Sequence, residues 1–131
     1  PPPPPPPPPP STPTRRSSDL ITHAVVKRAF VELTGRLPEL ARLAFCSLTE
    51  EQAKASTVFP LSSSTSEEID CVVQVDLEDI EACRRALDCY VTFKETIERT
   101  GIKEKLYSDV PFEFFGEDFE PPSGDLFAKL P

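Results

Sequence analysis

The feature that most constrains the fold is the pattern of apolar residues over about 66–100. Placed at about 100° per residue, as in a helix, these residues fall on two opposite faces. One face carries Ile69, Val73, Leu77, Ile80, Cys83, Leu87 and Val91, and the other carries Cys71, Val75, Ala82, Ala86, Cys89 and Phe93. A helix that is apolar on two opposed faces is covered on both sides. We therefore predict one long central helix, which follows a capping box of Ser64 and Glu67 and ends at Gly101.

A second interpretation of the same segment stays open. The stretch CVVQV, residues 71–75, is rich in β-branched residues and is compatible with a short strand. Asp76 would then cap a shorter helix behind it. We favour the continuous helix because both apolar stripes run through the disputed stretch in register.

Three shorter helices are predicted ahead of this element. The first opens at Ser18 or Asp19 and ends before Gly35, and the second opens at Pro38 and covers PELARLAFC. A third, LTEEQAKAS, follows a capping box of Ser47 and Glu50. The predicted fold class is all-α: a small helical bundle with one long central helix (about 66–100), short N-terminal helices and an extended irregular C-terminal tail.

The C-terminal tail, residues 107–131, combines aromatic and acidic side chains. Its proline and glycine residues exclude a long helix. Five of the nine phenylalanines of the chain lie in it, among acidic residues, whereas a disordered spacer carries few aromatics. We predict that these five form a partner-binding site: Phe112, Phe114, Phe115, Phe119 and Phe127. In the alternative interpretation, the tail folds back over the chain's own helix around Cys89 and Phe93.

The first 18 residues are rich in proline and are set apart from the rest. Ten prolines precede the stretch PTRRSSDL, which matches the conceptual translation of a common sequencing adapter, and the chain contains no methionine. The competing interpretation is a linker in the polyproline II conformation. The predicted organisation is therefore a Pro-rich segment (1–18), a helical domain (19–106) and the tail (107–131). If the true N-terminus lies upstream of this segment, the localisation is unknown. Our working assumption is an organelle, either a plastid or a mitochondrion.

Composition and motifs argue against several function classes. Acidic residues outnumber basic ones by 22 to 14, which disfavours a nucleic-acid partner. No apolar run approaches the roughly 20 residues of a transmembrane helix, although peripheral attachment to a membrane complex stays open. His23 stands alone, and the spacing of Cys46, Cys71, Cys83 and Cys89 matches no zinc motif. We predict no catalytic residue, cofactor or metal; free thiols and disulfides both stay open.

These observations leave three hypotheses for the function. The favoured one is a non-catalytic structural or accessory subunit of a larger assembly, such as a photosynthetic or respiratory complex of an organelle. It would dock on other protein subunits through its apolar helix faces and its Phe-rich acidic tail. The second is a free-standing adaptor or regulator whose tail is a peptide-recognition motif. The third is a small enzyme or ligand carrier, which would need a cavity near His23 or Cys83.

Overall fold

The computed structural model describes residues 16–56, 58 and 60–130, and for residues 16–20 it describes the backbone alone. The chain divides into two compact units, Pro1–Leu40 and Ala41–Pro131. Most of the Pro-rich segment 1–18 lies outside the described residues. Helix α1 of the first unit, Arg16–Thr34, ends before Gly35 as predicted. It begins ahead of Ser18 and Asp19, so the N-cap predicted at one of these two residues is wrong.

A three-stranded antiparallel sheet forms the centre of the second unit. Its strands are β1 (Ala44–Cys46), β2 (Cys71–Gln74) and β3 (Asp109–Phe114). They are arranged in the order β1-β3-β2, so that the strand latest in the chain lies between the other two. The all-α helical bundle predicted from the sequence is therefore wrong, and the fold is mixed α/β.

The predicted long helix over 66–100 is replaced by a strand and two helices. After β2 come α3 (Leu77–Asp88), a 3₁₀ turn and α4 (Lys94–Thr100). The Asp76 carboxylate caps α3 by accepting a hydrogen bond from the Asp79 backbone N–H at 3.0 Å. The strand interpretation is thus correct, because the valines suit extended backbone and the capping aspartate starts a new helix after them.

The end of this region agrees with the sequence prediction. Gly101 ends α4 in the left-handed conformation, with φ of +60°. A residue with a Cβ is strained there, which explains why glycine stops the helix.

The short helices agree with the prediction in part. The helix predicted from Pro38 to Cys46 is absent, and β1 occupies the last three residues of this stretch. The next helix is present as α2, Glu50–Lys54, but its capping box lies two residues later than predicted. The Thr49 side chain accepts from the Gln52 backbone N–H, and the Gln52 side chain accepts from the Thr49 backbone N–H at 3.0 Å.

Pro111 occupies an unusual position in the middle of the central strand. Proline lacks the N–H that a ladder requires, so it is normally excluded from such strands. The Pro111 carbonyl accepts a hydrogen bond from the Ser47 N–H, and β1 has already ended at Cys46. In an antiparallel strand the nitrogen and the carbonyl of one residue point to the same neighbouring strand. The Pro111 nitrogen, which carries no hydrogen, therefore faces the backbone just beyond the end of β1, where no ladder hydrogen bond is lost.

The core of the second unit is small and joins the sheet to its helices. Phe114 of β3 and Cys71 of β2 are buried, as are Ile80 of α3 and Ile97 of α4. The predicted long helix would bury Ile80, Cys83 and Leu87 together; in the structure Ile80 is buried, Leu87 is half-buried and Cys83 is exposed. The buried polar residues are Gln52, Ser64 and Asp70, and each makes hydrogen bonds to the chain.

Candidate functional site

The five tail phenylalanines predicted to bind a partner lie in different environments. Phe112 and Phe114 belong to β3, and Phe114 is buried in the core. Phe115 and Phe119 are half-buried, as is Phe112. Phe127 is 73% exposed. The sheet therefore takes up part of the aromatic surface that we assigned to a partner, and the partner-binding role of this set stays a prediction.

Arg42 holds the tail on the sheet. Its side chain is only 6% exposed, and its Nε and Nη2 donate to the two carboxylate oxygens of Glu117, each at 2.7 Å. The guanidinium also donates to the carbonyls of Leu126 and Ala128. The hydrogen bond to Glu117 raises the pKa of Arg42. The same hydrogen bond, donated by Arg42, holds the pKa of the Glu117 carboxyl below its usual value.

Aromatic rings surround this ion pair. The Arg42 guanidinium lies 4.2 Å from the ring centre of Phe114 and 5.2 Å from that of Phe119. The two rings meet edge to face with their centres 5.3 Å apart. The buried Asp70 carboxylate accepts from the backbone N–H of Phe114 at 2.6 Å and of Phe119 at 3.0 Å. These contacts position the turn between the two phenylalanines, and sequence reasoning identified neither Arg42 nor Asp70.

The second unit contains a short chain of hydroxyl groups that ends at a carboxylate. Ser47 and Ser64 share a hydrogen bond, and Ser64 donates to the Glu113 carboxylate. No three metal-ligating side chains come together among the described residues. His23 lies on α1 in the first unit.

The four cysteines are free thiols in different environments. Cys71 is fully buried in β2, and burial is the main cause that raises the pKa of its thiol. The remaining three are exposed: Cys46, Cys83 and Cys89. A raised pKa and lack of access both make Cys71 a poor nucleophile.

One short segment of the second unit exposes several large apolar side chains. We call it the 90–93 turn; it comprises Tyr90 and the 3₁₀ helix Val91–Phe93 between α3 and α4. Tyr90 is 57% exposed, Val91 81% and Phe93 58%. A single 3₁₀ turn is too short to present one apolar face to the core. The predicted continuous helix would have buried Val91 and Phe93 on opposite faces. In the structure α3 ends at Asp88, so the two residues do not continue its faces.

The second unit contains an open cavity of about 480 Å³, which we call the apolar groove. Its lining includes residues of the two helices that flank the 90–93 turn. Leu87 of α3 and Ile97 of α4 contribute to its wall. Its other lining residues are Leu48, Gln52, Ser56, Val58, Leu61, Thr96, Thr100, Ile102, Lys105, Leu106 and Tyr107. Most of the lining surface is hydrocarbon.

A smaller cavity of about 250 Å³ adjoins the groove. Cys83 and Ile80 of α3 line it, so a cavity is present near one of the two residues at which the ligand-carrier hypothesis required one. The two cavities share five lining residues: Leu48, Gln52, Lys105, Leu106 and Tyr107. They are therefore neighbouring parts of one recessed surface.

The polar groups of the groove are mostly engaged with the chain itself. The Tyr107 hydroxyl donates to the Gln52 carbonyl at 3.3 Å, and the Gln52 side-chain amide donates to the Asp109 carbonyl at 2.8 Å. The Lys105 ammonium donates to the Thr100 carbonyl at 3.1 Å. Lys105 is the one charged residue of the groove lining.

Comparison with known proteins adds no relative. No family model matches the chain, and no curated protein or solved structure is significantly similar to it. Among the described residues, none of the helices combines the length and the apolar character needed to cross a bilayer. The function must therefore be argued from the geometry of the second unit.

Proposed function

We propose that this protein is a non-catalytic subunit of a larger protein assembly and that it docks through the 90–93 turn. The observation that carries the proposal is the exposure of Tyr90, Val91 and Phe93 in one short segment. Aromatic side chains on an exposed apolar surface are the type of residue that dominates the energy of protein interfaces.

The energetic argument rests on what a partner would gain. Fully burying a large apolar side chain stabilises a complex by about 1.5–3 kcal/mol. A 3₁₀ turn held between two helices loses little conformational entropy on binding, because both of its ends are already ordered. Three such side chains therefore offer a partner a compact anchor.

The tail contributes to the same proposal through Phe127. Its ring is largely exposed, whereas the other phenylalanines of the predicted site are buried or half-buried. We propose Phe127 as a secondary contact and the 90–93 turn as the main one.

The test is the loss of a complex upon polar substitution of the turn. The tagged full chain is expressed in its native source as wild type, as the double variant Val91→Ser/Phe93→Ser, and as the control Leu77→Ser. Leu77 is also apolar and highly exposed but lies at the start of α3, outside the turn. Affinity capture with mass spectrometry identifies the co-purifying proteins, and sedimentation gives the size of the complex.

We expect the wild type and Leu77→Ser to sediment with the same defined set of partners, and the double variant to lose them while keeping its melting temperature. Sedimentation of the wild type as a lone monomer in the extract would contradict the proposal. So would an unchanged complex in the double variant.

A further inference from the structure

The half-buried cations of the second unit differ in their partners. Arg42, Arg84 and Lys103 each pair with a carboxylate, that of Glu117, Glu81 or Asp88. Lys105 is half-buried as well, yet no ion pair joins it to a carboxylate within the described part of the chain. Its one hydrogen bond goes to the Thr100 carbonyl, while an ammonium group can donate three.

A partly buried charge without a counter-charge is costly in a protein. In a chain with a net charge of −8, carboxylates are abundant, yet among the described residues none of them pairs with this half-buried lysine. Lys105 also lies in the wall of the apolar groove, whose surface is mainly hydrocarbon. Asp79 and Asp109 line the smaller cavity together with Lys105 but do not line the apolar groove. Neither carboxylate forms an ion pair with Lys105.

We propose that the apolar groove binds a single-chain amphiphile with an anionic head group, such as the carboxylate of a fatty acid. The head group accepts hydrogen bonds from the Lys105 ammonium, and the hydrocarbon chain lies along Leu61, Leu87 and Ile97. The volume of about 480 Å³ falls within the roughly 300–1,000 Å³ of small-molecule sites.

The composition of the wall favours a hydrocarbon chain over a peptide segment. A peptide brings a backbone N–H and C=O with nearly every residue, and these groups need hydrogen-bond partners once they leave water. The groove offers few, because the Gln52 amide and the Tyr107 hydroxyl are already engaged with the chain. An acyl chain makes no such demand and needs one polar contact, at its head.

The proposal is distinct from docking through the 90–93 turn, because none of the residues 90–93 lines the groove. Calorimetric titration of the purified full chain tests it with three ligands that share a ten-carbon tail: decanoate, decanol and decyltrimethylammonium. Each is used below its micelle-forming or solubility limit. The variants are Lys105→Met, Lys105→Arg, and Lys103→Met as the matched control, since Lys103 is a neighbouring cation outside the groove.

We expect decanoate to bind the wild type more tightly than decanol and the cationic amphiphile to bind weakest. Lys105→Met should weaken decanoate binding about tenfold or more, which corresponds to about 1.4 kcal/mol for a charge-assisted contact, and leave decanol unchanged. Lys105→Arg should retain most of the affinity, and Lys103→Met should stay within about twofold of wild type. Melting curves show which variants are folded.

Several results would overturn the proposal. They are no detectable binding of decanoate to the folded wild type, equal affinities for decanoate and decanol, or a Lys105→Met variant that binds decanoate as tightly as wild type. A fourth variant, Leu61→Asp, addresses the occupant, because Leu61 is a partly exposed part of the wall. If it abolishes a protein complex while decanoate never binds, the groove belongs to a protein partner.

Discussion

Replacing Arg42 by methionine should destabilise the second unit more than any other single loss of charge. The substitution keeps much of the side-chain volume but leaves the Glu117 carboxylate and the carbonyls of Leu126 and Ala128 without their donor. Removing one partner of a buried ion pair costs about 3–5 kcal/mol. The Glu117 side chain is 32% exposed, so water can solvate part of its charge, and we take the lower end, about 3 kcal/mol.

The expected change is readily measured by urea unfolding followed by circular dichroism. In a domain of this size, each 1 kcal/mol shifts the melting temperature by about 4–8 °C, so Arg42→Met should lower it by about 12–24 °C. The control is Lys54→Met, which breaks the exposed pair of Lys54 and Glu50 and should cost only about 0.3–0.5 kcal/mol. Adding Glu117→Gln to Arg42→Met should recover part of the loss, because it removes the unpaired carboxylate.

The pH dependence provides an independent test of the same pair. Arg42 lowers the pKa of Glu117 in the folded state from its usual value of 4.5. Stability from a lowered pKa is fully present above the unfolded pKa and is lost as the pH falls through the folded pKa. The difference between wild type and Arg42→Met should therefore be constant above about pH 5 and shrink below about 4.5. A difference under about 0.5 kcal/mol at pH 7, or one that grows on acidification, would refute the reasoning.

Two further predictions concern side chains of the sheet and the tail. Under native conditions iodoacetamide should label Cys46, Cys83 and Cys89 but not Cys71. The Cys71 thiol is buried and its pKa is raised, so the reactive thiolate forms only when the chain unfolds. Rapid modification of Cys71, mapped by peptide mass spectrometry, would contradict this. Phe119→Ala should lower the unfolding free energy by about 2 kcal/mol, because the chain loses a partly buried ring and its edge-to-face contact with Phe114. The matched control, Phe127→Ala, removes an exposed ring and should change the unfolding free energy by less than about 0.5 kcal/mol. Equal urea midpoints for the two variants would show that the tail adds no stability and would return Phe119 to the docking surface.

Local chemistry in the sequence predicts the helix boundaries better than the strands. Gly101 marks the end of α4, and Asp76 marks the start of α3 once the strand interpretation is adopted. These signals act within one helical turn, so they are visible without knowledge of the fold. The capping box at Thr49 was assigned two residues early because Ser47 with Glu50 and Thr49 with Gln52 have the same spacing.

The sheet could not be predicted because its strands are short and distant in sequence. β1 has three residues, too few to show the alternation that distinguishes a strand from a helix. The in-register stripes over 66–100 are a coincidence of composition, since β2 has four residues and fits either period. A proline inside a central strand is unusual, and Pro111 is tolerated there because β1 stops one residue short of it.

The candidate sites were equally hidden in the sequence. The apolar groove is lined by residues of α2, α3 and α4 and of the segments before, between and after them, and no motif joins Lys105 to Leu61 or Leu87. The partners of Arg42 lie at least 75 residues away in sequence, and pairings at that separation depend on the fold. The aromatic content of the tail did indicate that its rings need a surface, but not which surface.

The position of β3 between β1 and β2 determines when the sheet can form during synthesis of the chain. β1 and β2 each pair with β3 and not with each other, and β2 also bonds to Ser123, which lies still later in the chain. Both strands are therefore made well before the strand that joins them exists. During synthesis the nascent chain therefore presents two unpaired strands with β-branched and aromatic side chains, which are templates for wrong pairings. The sheet can form only after residues 109–114 have left the ribosome, so its closure comes late in the synthesis of the second unit.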